Sequence, residues 1–286
     1  MKEQVYELTN QESFNLKDIF ECGQCFRWNK QEDKSYTGVI KDGVLNVKQE
    51  KNKIIFKGML DKGIIDVVNI YFDLNRNYEE IKNILKKIDT NMEKSIQAGY
   101  GIRILNQDLW ETTISFIISA NNNIPRIKGI IERLSKKYGN KIEYNRNIYY
   151  TFPTPRQLKD VSIEKYRELG LGFRDIRLYE TTKMIYNEEI KLSSLEKMET
   201  KEAKDELLKL SGVGPKVADC ILLFSTLKRF DVFPIDVWVR RVMNELYINN
   251  PNEEKVSKKQ IEKLAKEKFG NLEGIAQQYL YYWRRD

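Results

Sequence analysis

The spacing of apolar residues changes once along the chain, at about residue 60, and this change limits the architecture more than any other feature. Before it, residues 36–40 and 44–48 alternate and flank Lys41-Asp42-Gly43, which is a hairpin signal. Residues 53–57 predict a third strand, and Phe26-Arg27-Trp28 begins or lies in another. The sequence therefore predicts a small antiparallel β domain at its N-terminal end.

After residue 60 the apolar residues recur at helical spacing. They predict helices over residues 78–88, 108–120, 127–138, 174–186, 202–210, 217–227, 237–246, 258–269 and 274–283, with a surface turn at 249–252. The expected fold class is α+β: the β domain packs on a larger all-helical body. We place the β-rich domain and the helices that follow it at residues 1–90. The helical domain takes residues 91–286, with a helix-hairpin-helix motif at about 202–228.

The complete lack of histidine excludes several kinds of catalytic site. It removes the commonest general base and metal ligand, and with them Ser-His-Asp triads and His-dependent zinc sites. The three cysteines are too few for a four-thiolate zinc or iron–sulfur site. We interpret the Cys22-x-x-Cys25 spacing as incidental, because no βαβ pattern surrounds it. Catalysis is left to Lys, Asp, Glu, Cys or Tyr.

Charge and the absence of targeting signals bear on partners and location. The chain has 49 Lys+Arg against 42 Asp+Glu, a net charge of +7, which favours an acidic partner such as nucleic acid. Lysines that simply solvate helix faces explain the same balance equally well. The odd number of cysteines and the lack of a secretory signal favour a reducing cytosol. No uncharged apolar stretch reaches the roughly 18 residues of a membrane span, so we expect no membrane association.

Residues 210–216, Leu-Ser-Gly-Val-Gly-Pro-Lys, join two predicted helices. Gly212 and Gly214 permit positive φ in a tight turn, and Pro215 suits the first position of the next helix. Such a turn exposes backbone N–H groups beside a helix N-terminus, which is a phosphate site. We therefore expect Gly212, Val213 and Gly214 to hold a DNA backbone. Gly-x-Gly alone is also typical of an ordinary αα-hairpin.

Lys216 and Asp236 are the candidate catalytic residues. Lys216 lies in the first turn of its helix, where the helix dipole and partial burial are both expected to lower its pKa. Both effects favour the neutral amine, which is the nucleophilic form. Cys220 follows four residues later and shares the helix face. Asp236 precedes a helix, where it suits an N-cap, and a carboxylate held there can stabilise a developing oxocarbenium ion.

In their order, these motifs resemble those of the helix-hairpin-helix-Gly/Pro-Asp DNA glycosylases, and within them 8-oxoguanine DNA glycosylase of the eukaryotic type. The hairpin through Cys220, and Pro-Ile-Asp-Val about 20 residues after Lys216, carry the superfamily pattern. Three further segments are similar to motifs of that branch: Gly-Gln-Cys-Phe-Arg-Trp at 23–28, Ala-Asn-Asn-Asn-Ile-Pro-Arg-Ile at 120–127 and Leu-Gly-Leu-Gly-Phe-Arg at 169–174. The missing cysteine cluster separates the chain from the iron–sulfur branch.

The resemblance implies a bifunctional DNA repair glycosylase and lyase that removes 8-oxoguanine, preferably opposite cytosine, from double-stranded DNA. Lys216 would attack C1′ of a flipped-out nucleotide, a Schiff base would form, and β-elimination would nick the strand. Flipping is needed because C1′ is not reachable inside the base stack. Asp236 would position and support this chemistry. The resemblance implies no cofactor and a monomeric enzyme, cytoplasmic, or nucleoid-associated in a prokaryote.

The resemblance also implies which residues recognise the lesion. Oxidised guanine carries a proton on N7, where guanine has a lone pair, and the carbonyl of Gly23 would read that difference. Cys220 and Tyr281 would sandwich the base, and Gln277 would contact its Watson–Crick edge. For Gln277 and Tyr281 the alternative is plain helix core.

A second set of residues is implied to fill the vacated stack, bond the estranged cytosine or contact the backbone. It comprises Asn121, Arg126, Phe173, Arg174 and Trp238. Phe173 replaces the tyrosine wedge of the family and Trp238 replaces a histidine that contacts phosphate, so the stringency for the opposite base stays open. No side-chain metal site is expected, although relatives imply a cation on hairpin carbonyls near Leu210 and Val213.

Three alternatives remain at this stage. The first is a related glycosylase for a different damaged base, against which Gly23 and the triple-Asn segment argue. The second is a non-catalytic helix-hairpin-helix DNA-binding module, which does not explain the pairing of Lys216 with Asp236. The third is a helical enzyme that does not act on nucleic acid, which leaves the hairpin unexplained.

Overall fold

A five-stranded antiparallel sheet forms the N-terminal part of the protein in a computed structural model that describes residues 2–9 and 11–285. The strand order is β1-β5-β4-β3-β2. The predicted hairpin is confirmed, with Ile40 paired to Gly43 and Tyr36 to Val47. The strands are β1 (Glu3–Thr9), β2 (Trp28–Lys30), β3 (Tyr36–Ile40), β4 (Gly43–Glu50) and β5 (Lys53–Met59).

The rest of the described chain is largely helical, which confirms the α+β class. Each predicted helix coincides with an observed one, with ends that differ by a few residues. The helices are α1 (Leu16–Phe20), α2 (Ile64–Tyr71), α3 (Tyr78–Lys86), α4 (Thr90–Ala98), α5 (Leu109–Ser119), α6 (Ile124–Tyr138), α7 (Pro155–Leu158), α8 (Ile163–Glu168), α9 (Asp175–Tyr186), α10 (Thr200–Leu207), α11 (Pro215–Phe224), α12 (Val237–Met243), α13 (Lys258–Phe269) and α14 (Glu273–Arg285).

Several short elements were not predicted. Helices α1, α7 and α8 have six residues or fewer, which is too short for helical periodicity to stand out, and α2 and α4 were missed as well. The edge strand β1 alternates only between exposed and half-buried residues, so its apolar signal is weak. A second hairpin, β6 (Lys141–Tyr144) with β7 (Asn147–Tyr150), interrupts the helical body. The division of the chain at residues 90 and 91 stays a prediction.

Two apolar cores meet at the segment that follows α1. Cys22 and Phe26 belong to the core of the helical body, whereas Cys25 and Trp28 belong to the core between the sheet, α1 and α2. Side chains of this segment are therefore anchored on both sides. Its backbone, which includes Gly23, is held at the junction of the β domain and the helices.

The cysteines and the helices also bear on two expectations about environment. All three cysteines are buried and free, so Cys22 and Cys25 form no disulfide. Among the helices of residues 2–9 and 11–285, none has both the length and the apolar character required to cross a membrane.

Candidate active site

A cavity opens between the segment after α1, helix α11 and helix α14. Its volume is about 340 Å³, its open mouth included. The residues predicted for catalysis and base recognition all line it, although they are spread over more than 250 positions of the chain. The lining consists of Cys22, Gly23, Phe116, Lys216, Cys220, Phe224, Pro234, Asp236, Gln277, Gln278 and Tyr281.

Helix α11 presents Lys216 and Cys220 to this cavity from consecutive turns. Pro215 stands in the first turn of α11, as the sequence predicts, and Gly214 is the N-cap without a side-chain hydrogen bond. Lys216 is partly buried, and its Nζ lies 5.2 Å from the centroid of the Phe116 ring. The four-residue spacing therefore brings amine and thiol together, as expected.

The pKa of Lys216 departs from the sequence-based expectation. Burial lowers the pKa of Lys216, but its interactions with the Cys220 side chain and with the Asp236 carboxylate together raise it by more, so that it lies above its ordinary value. The expectation of a depressed pKa was wrong, because these two groups outweigh burial and the helix dipole. The resting amine is thus protonated and must lose its proton before it can act as a nucleophile.

Cys220 behaves as a neutral neighbour of the lysine near neutral pH. Burial raises the pKa of the Cys220 thiol to about 11, against the opposing effect of Lys216. The side chain is only 2% exposed. A buried thiol in this state is a soft apolar surface rather than a nucleophile, which suits it for contact with the face of a flat ring.

Asp236 enters the cavity from the start of α12. Its Oδ1 accepts a hydrogen bond from the backbone N–H of Val239 at 2.8 Å, so it is the N-cap that the sequence predicts. The preceding Pro234 and Ile235 are buried, which fixes the approach of the chain to the cap. The cap bond orients the carboxylate, and the second residue of the predicted catalytic pair thus lies in the same cavity as Lys216.

Gly23 forms the wall of the cavity opposite α11. Its φ is +85°, a left-handed conformation that other L-residues adopt at a cost. A Cβ atom at this position would lie 3.5 Å from Cε1 of Tyr281, so the space itself would tolerate a methyl group. The backbone conformation, rather than crowding, therefore requires glycine here.

Helix α14 contributes Gln277 and Tyr281 from successive turns. Gln277 is 5% exposed, and its Oε1 has no hydrogen-bond partner among the described residues. An amide oxygen that is buried without a partner costs about 1–3 kcal/mol, so a ligand in the cavity would offset that cost. Tyr281 is half-buried, and burial raises its pKa. Both side chains line the cavity, and Tyr281 also packs against the core of the helical body.

The hairpin between α10 and α11 has the predicted form with one difference. Gly212 adopts φ +81°, but Gly214 has φ −94° and ψ 178°, which any residue can adopt. Only Gly212 therefore uses the positive φ that both glycines permit. Gly214 is exposed, and a Cβ placed there would have no atom within 4 Å, so its surface stands open to a ligand.

Two further features of the hairpin limit what it can bind. The N–H of Val213 already donates to the carbonyl of Leu210 at 3.1 Å. Residues 2–9 and 11–285 contain no group of three or more Asp, Glu or Cys side chains that could hold a metal ion. The described residues therefore provide no cluster of three acidic or thiol side chains for a cation at this hairpin.

The residues predicted to contact the opposite strand lie together on a second surface. Asn121 and Arg126 are exposed, and Phe173 is 53% exposed. Arg126 donates to the carbonyl of Gly170 at 3.2 Å, which links α6 to the loop that carries Phe173. An aromatic ring this exposed, beside cationic side chains, is typical of a surface that meets a stack of bases.

Arg174 differs from its neighbours on this surface. It is 2% exposed, and its guanidinium donates to the carbonyls of Ala120, Asn121 and Leu171 at 2.6 to 3.1 Å. In this conformation it ties two loops together. A contact between Arg174 and a base would require it to exchange these bonds, so its predicted role stays a prediction.

Trp238 lies beside Asp236 in the first turn of α12. It is 49% exposed, and the guanidinium carbon of Arg241 stands 5.2 Å from the centroid of its ring. The position next to the cavity mouth fits the expected contact with a DNA backbone, while the ring supplies apolar surface instead of a charge.

Several cavity residues were not predicted. Phe116 and Phe224 stack with their centroids 5.6 Å apart, and both signalled only buried helix in the sequence. Gln278 donates from Nε2 to the carbonyl of Cys22 at 2.6 Å. No local pattern reveals a contact between residues so far apart in sequence.

Two known families together match most of the chain. Residues 7–113 match the family described as 8-oxoguanine DNA glycosylase, N-terminal domain, and residues 114–270 match the HhH-GPD superfamily of base excision DNA repair proteins. The crystal structure of Clostridium acetobutylicum 8-oxoguanine glycosylase/lyase, in complex with double-stranded DNA containing cytosine opposite 8-oxoG, is 44% identical. It superposes with a TM-score of 0.93 over 99% of this chain and 97% of that one.

Two curated relatives extend over most of the chain. The N-glycosylase/DNA lyase of Saccharomyces cerevisiae is 32% identical over 83% of this chain and 69% of its own length. The probable N-glycosylase/DNA lyase of Methanothermobacter thermautotrophicus is 29% identical over 94% of this chain and 92% of its own length.

Proposed function

The chain belongs to the 8-oxoguanine DNA glycosylases of the HhH-GPD superfamily, and on that premise we propose that Lys216 is the nucleophile of a bifunctional glycosylase and lyase. The substrate is double-stranded DNA that contains 8-oxoguanine, preferably opposite cytosine. The observation that carries the proposal is the cavity in which Lys216, Asp236 and the four base-recognition residues meet.

Recognition of the base is assigned to the walls of the cavity. A flipped-out base would lie between the Cys220 thiol and the Tyr281 ring. The carbonyl of Gly23 would accept the N7–H that guanine lacks, and the unpartnered amide oxygen of Gln277 would accept from the Watson–Crick edge. Each contact uses a group that the cavity already presents.

The chemistry begins with loss of a proton from Lys216. The neutral amine forms a bond to C1′ while the bond from C1′ to the base breaks, and the base leaves with that electron pair. Opening of the sugar ring gives a Schiff base between Lys216 and C1′. Loss of a proton from C2′ then expels the 3′ phosphate by β-elimination. Asp236, held at its cap, stabilises the positive charge that develops at the sugar.

The remaining predicted residues are assigned to contacts with the DNA outside the cavity. The open surface at Gly212 and Gly214, together with Trp238, would contact the backbone. Asn121, Arg126 and Phe173 would occupy the gap that the flipped base leaves.

No cofactor enters this mechanism. We also propose that the protein acts as a monomer in the cytoplasm, and on the nucleoid in a prokaryote.

Borohydride trapping tests the proposal directly. The protein is incubated with a duplex that carries one 8-oxoguanine opposite cytosine, and borohydride reduces any Schiff base to a stable adduct. We expect an adduct with the wild type and none with Lys216→Gln. The control is Lys209→Gln, which should also give an adduct, because Lys209 is an exposed lysine directly before the hairpin. An undamaged duplex should give no adduct.

The same experiment separates the alternatives. A non-catalytic DNA-binding module would give no adduct with any variant and full binding by Lys216→Gln. A glycosylase for a different lesion would give an adduct only when the 8-oxoguanine is replaced by that lesion.

A further inference from the structure

Five of the six carbonyls of residues 19–24, at the end of α1 and in the segment that follows it, accept hydrogen bonds. Those of Ile19 and Phe20 accept from Gln24 Nε2 and Cys25 Sγ, at 2.9 and 3.8 Å. The carbonyl of Gln24 accepts from Gln107 Nε2 at 2.7 Å. The segment therefore has a fixed backbone on either side of its central turn.

Two side chains of α14 hold the central turn. Gln278 Nε2 donates to the carbonyl of Cys22 at 2.6 Å, and a guanidinium nitrogen of Arg285 donates to the carbonyl of Glu21 at 2.5 Å. Gly23 comes next, and no described residue donates to its carbonyl. The only peptide oxygen left open between residues 19 and 24 is the one assigned to the N7–H of the lesion.

Arg285 touches the other wall of the cavity as well. Its guanidinium carbon lies 5.6 Å from the centroid of the Tyr281 ring, and its Nη1 would be 3.6 Å from a Cβ at Gly23. The same side chain thus contacts the turn that reads the lesion and the ring that stacks on it. Since α14 also carries Gln277, one helix sets the positions of three recognition groups.

From these contacts we propose that Gln278 and Arg285 are positioning residues, which fix the Gly23 carbonyl relative to the stacking and edge-reading residues of α14. Neither touches the reacting atoms. Their effect is on discrimination: a turn released from α14 leaves the Gly23 carbonyl free to move, and a mobile acceptor distinguishes N7–H from a lone pair poorly. This inference rests on the proposed function, because it takes Gly23 as the residue that reads the base.

The test measures discrimination apart from catalysis. Equilibrium binding is measured in the Lys216→Gln background with three duplexes that contain, opposite cytosine, 8-oxoguanine, guanine or a tetrahydrofuran abasic analogue. Arg285→Ala should lower the preference for 8-oxoguanine over guanine by about tenfold and leave binding of the abasic analogue unchanged. Arg285→Lys, which keeps one donor, should restore part of the preference.

Arg284→Ala is the matched control, because Arg284 is an exposed neighbour on the same helix end that pairs with Glu245 instead. Its preference should equal that of the parent. Gln278→Leu should act in the same direction as Arg285→Ala. An unchanged preference in Arg285→Ala, or an equal loss for all three duplexes, would overturn the positioning role. A Lys216→Gln parent that does not prefer 8-oxoguanine would overturn the proposed substrate, and the inference with it.

Discussion

Lys216 and Lys228 are both poorly exposed lysines, but their pKa values shift in opposite directions and only Lys216 lines the cavity. Lys228 has a side chain only 10% exposed, 3.3 Å from Asp73, and it donates to the carbonyl of Ile104. Burial lowers the pKa of Lys228 to about 7, so this amine is neutral in about half of the molecules near neutral pH. Lys216 has a pKa above the ordinary value, yet it faces the cavity that holds Asp236 and Gln277.

In the proposed mechanism, position in the cavity, and not ease of deprotonation, selects the nucleophile. By pKa alone Lys228 is the better amine. Its nitrogen, however, is occupied by a carboxylate and a carbonyl, and it does not line the cavity that contains the predicted catalytic pair. In the proposed reaction Lys216 loses its proton within the cavity that receives the base, whereas Lys228 lies outside that cavity.

The largest expected effect comes from removing the lysine of the cavity. Lys216→Gln keeps a polar side chain, one atom shorter and uncharged, but has no nucleophile. Excision of 8-oxoguanine should fall on the order of a thousandfold or more, measured as product per enzyme in a single turnover. If the variant retained a tenth of the activity, a group other than Lys216 would have to be the nucleophile.

Lys228→Met provides the complementary change. The variant should keep excision and lyase activity, because Lys228 lies outside the cavity. Its effect should be on stability: a lysine whose folded pKa is lowered contributes stability at high pH that is lost as the pH falls from the ordinary value of 10.5 to about 7. The advantage of the wild type in free energy of unfolding should therefore grow between pH 7 and pH 10, by up to about 1.4 kcal/mol per pH unit.

Denaturant unfolding at several pH values measures that advantage. Parallel stability curves for the wild type and Lys228→Met would show that Lys228 is charged in the folded protein. If the variant lost excision activity without losing stability, Lys228 would have to take part in the reaction.

The dependence of excision on pH sharpens the comparison further. Only the neutral amine attacks, and the pKa of Lys216 lies above its ordinary value. The single-turnover rate should therefore rise up to about tenfold per pH unit from pH 6 to pH 9, without levelling off. A single-turnover rate that stops rising near pH 7 would instead indicate a nucleophilic amine with a pKa like that of Lys228.

The smallest effect concerns the wall opposite Lys216. Gly23→Ala meets enough space but places a Cβ on a residue with φ +85°, at a cost of about 1–2 kcal/mol. The turn should relax and move its carbonyl, which lowers excision of 8-oxoguanine about tenfold while binding to undamaged DNA stays the same. Equal losses in both measurements would remove Gly23 from recognition of the base.

Much of the fold was open to prediction because its signals are local. Lys41-Asp42-Gly43 marks the β3–β4 hairpin, and Pro215 marks the start of α11. The edge strand β1 and the β6–β7 hairpin were missed, since β1 has no buried residue and β6 and β7 have only four residues each. Resemblance to a family supplied the residues of the cavity that lie far from the hairpin in sequence.

What the sequence does not contain is the balance of tertiary contacts. The pKa of Lys216 was mispredicted because the helix dipole can be placed from the sequence, whereas the proximity of Cys220 and Asp236 to the amine cannot be weighed from it. The engagement of Arg174 with three carbonyls was hidden for the same reason. Gln278 reaches Cys22 across 256 positions, beyond any local pattern.

Mapping the trapped adduct tests the central claim most directly. The wild type is trapped with borohydride on a duplex containing 8-oxoguanine opposite cytosine, digested with protease and nuclease, and the modified peptide is sequenced by mass spectrometry. The residue that carries the reduced sugar should be Lys216, in the peptide that follows the hairpin. A sugar on Lys228, or on any other lysine, would contradict the assignment of the nucleophile by its place in the cavity.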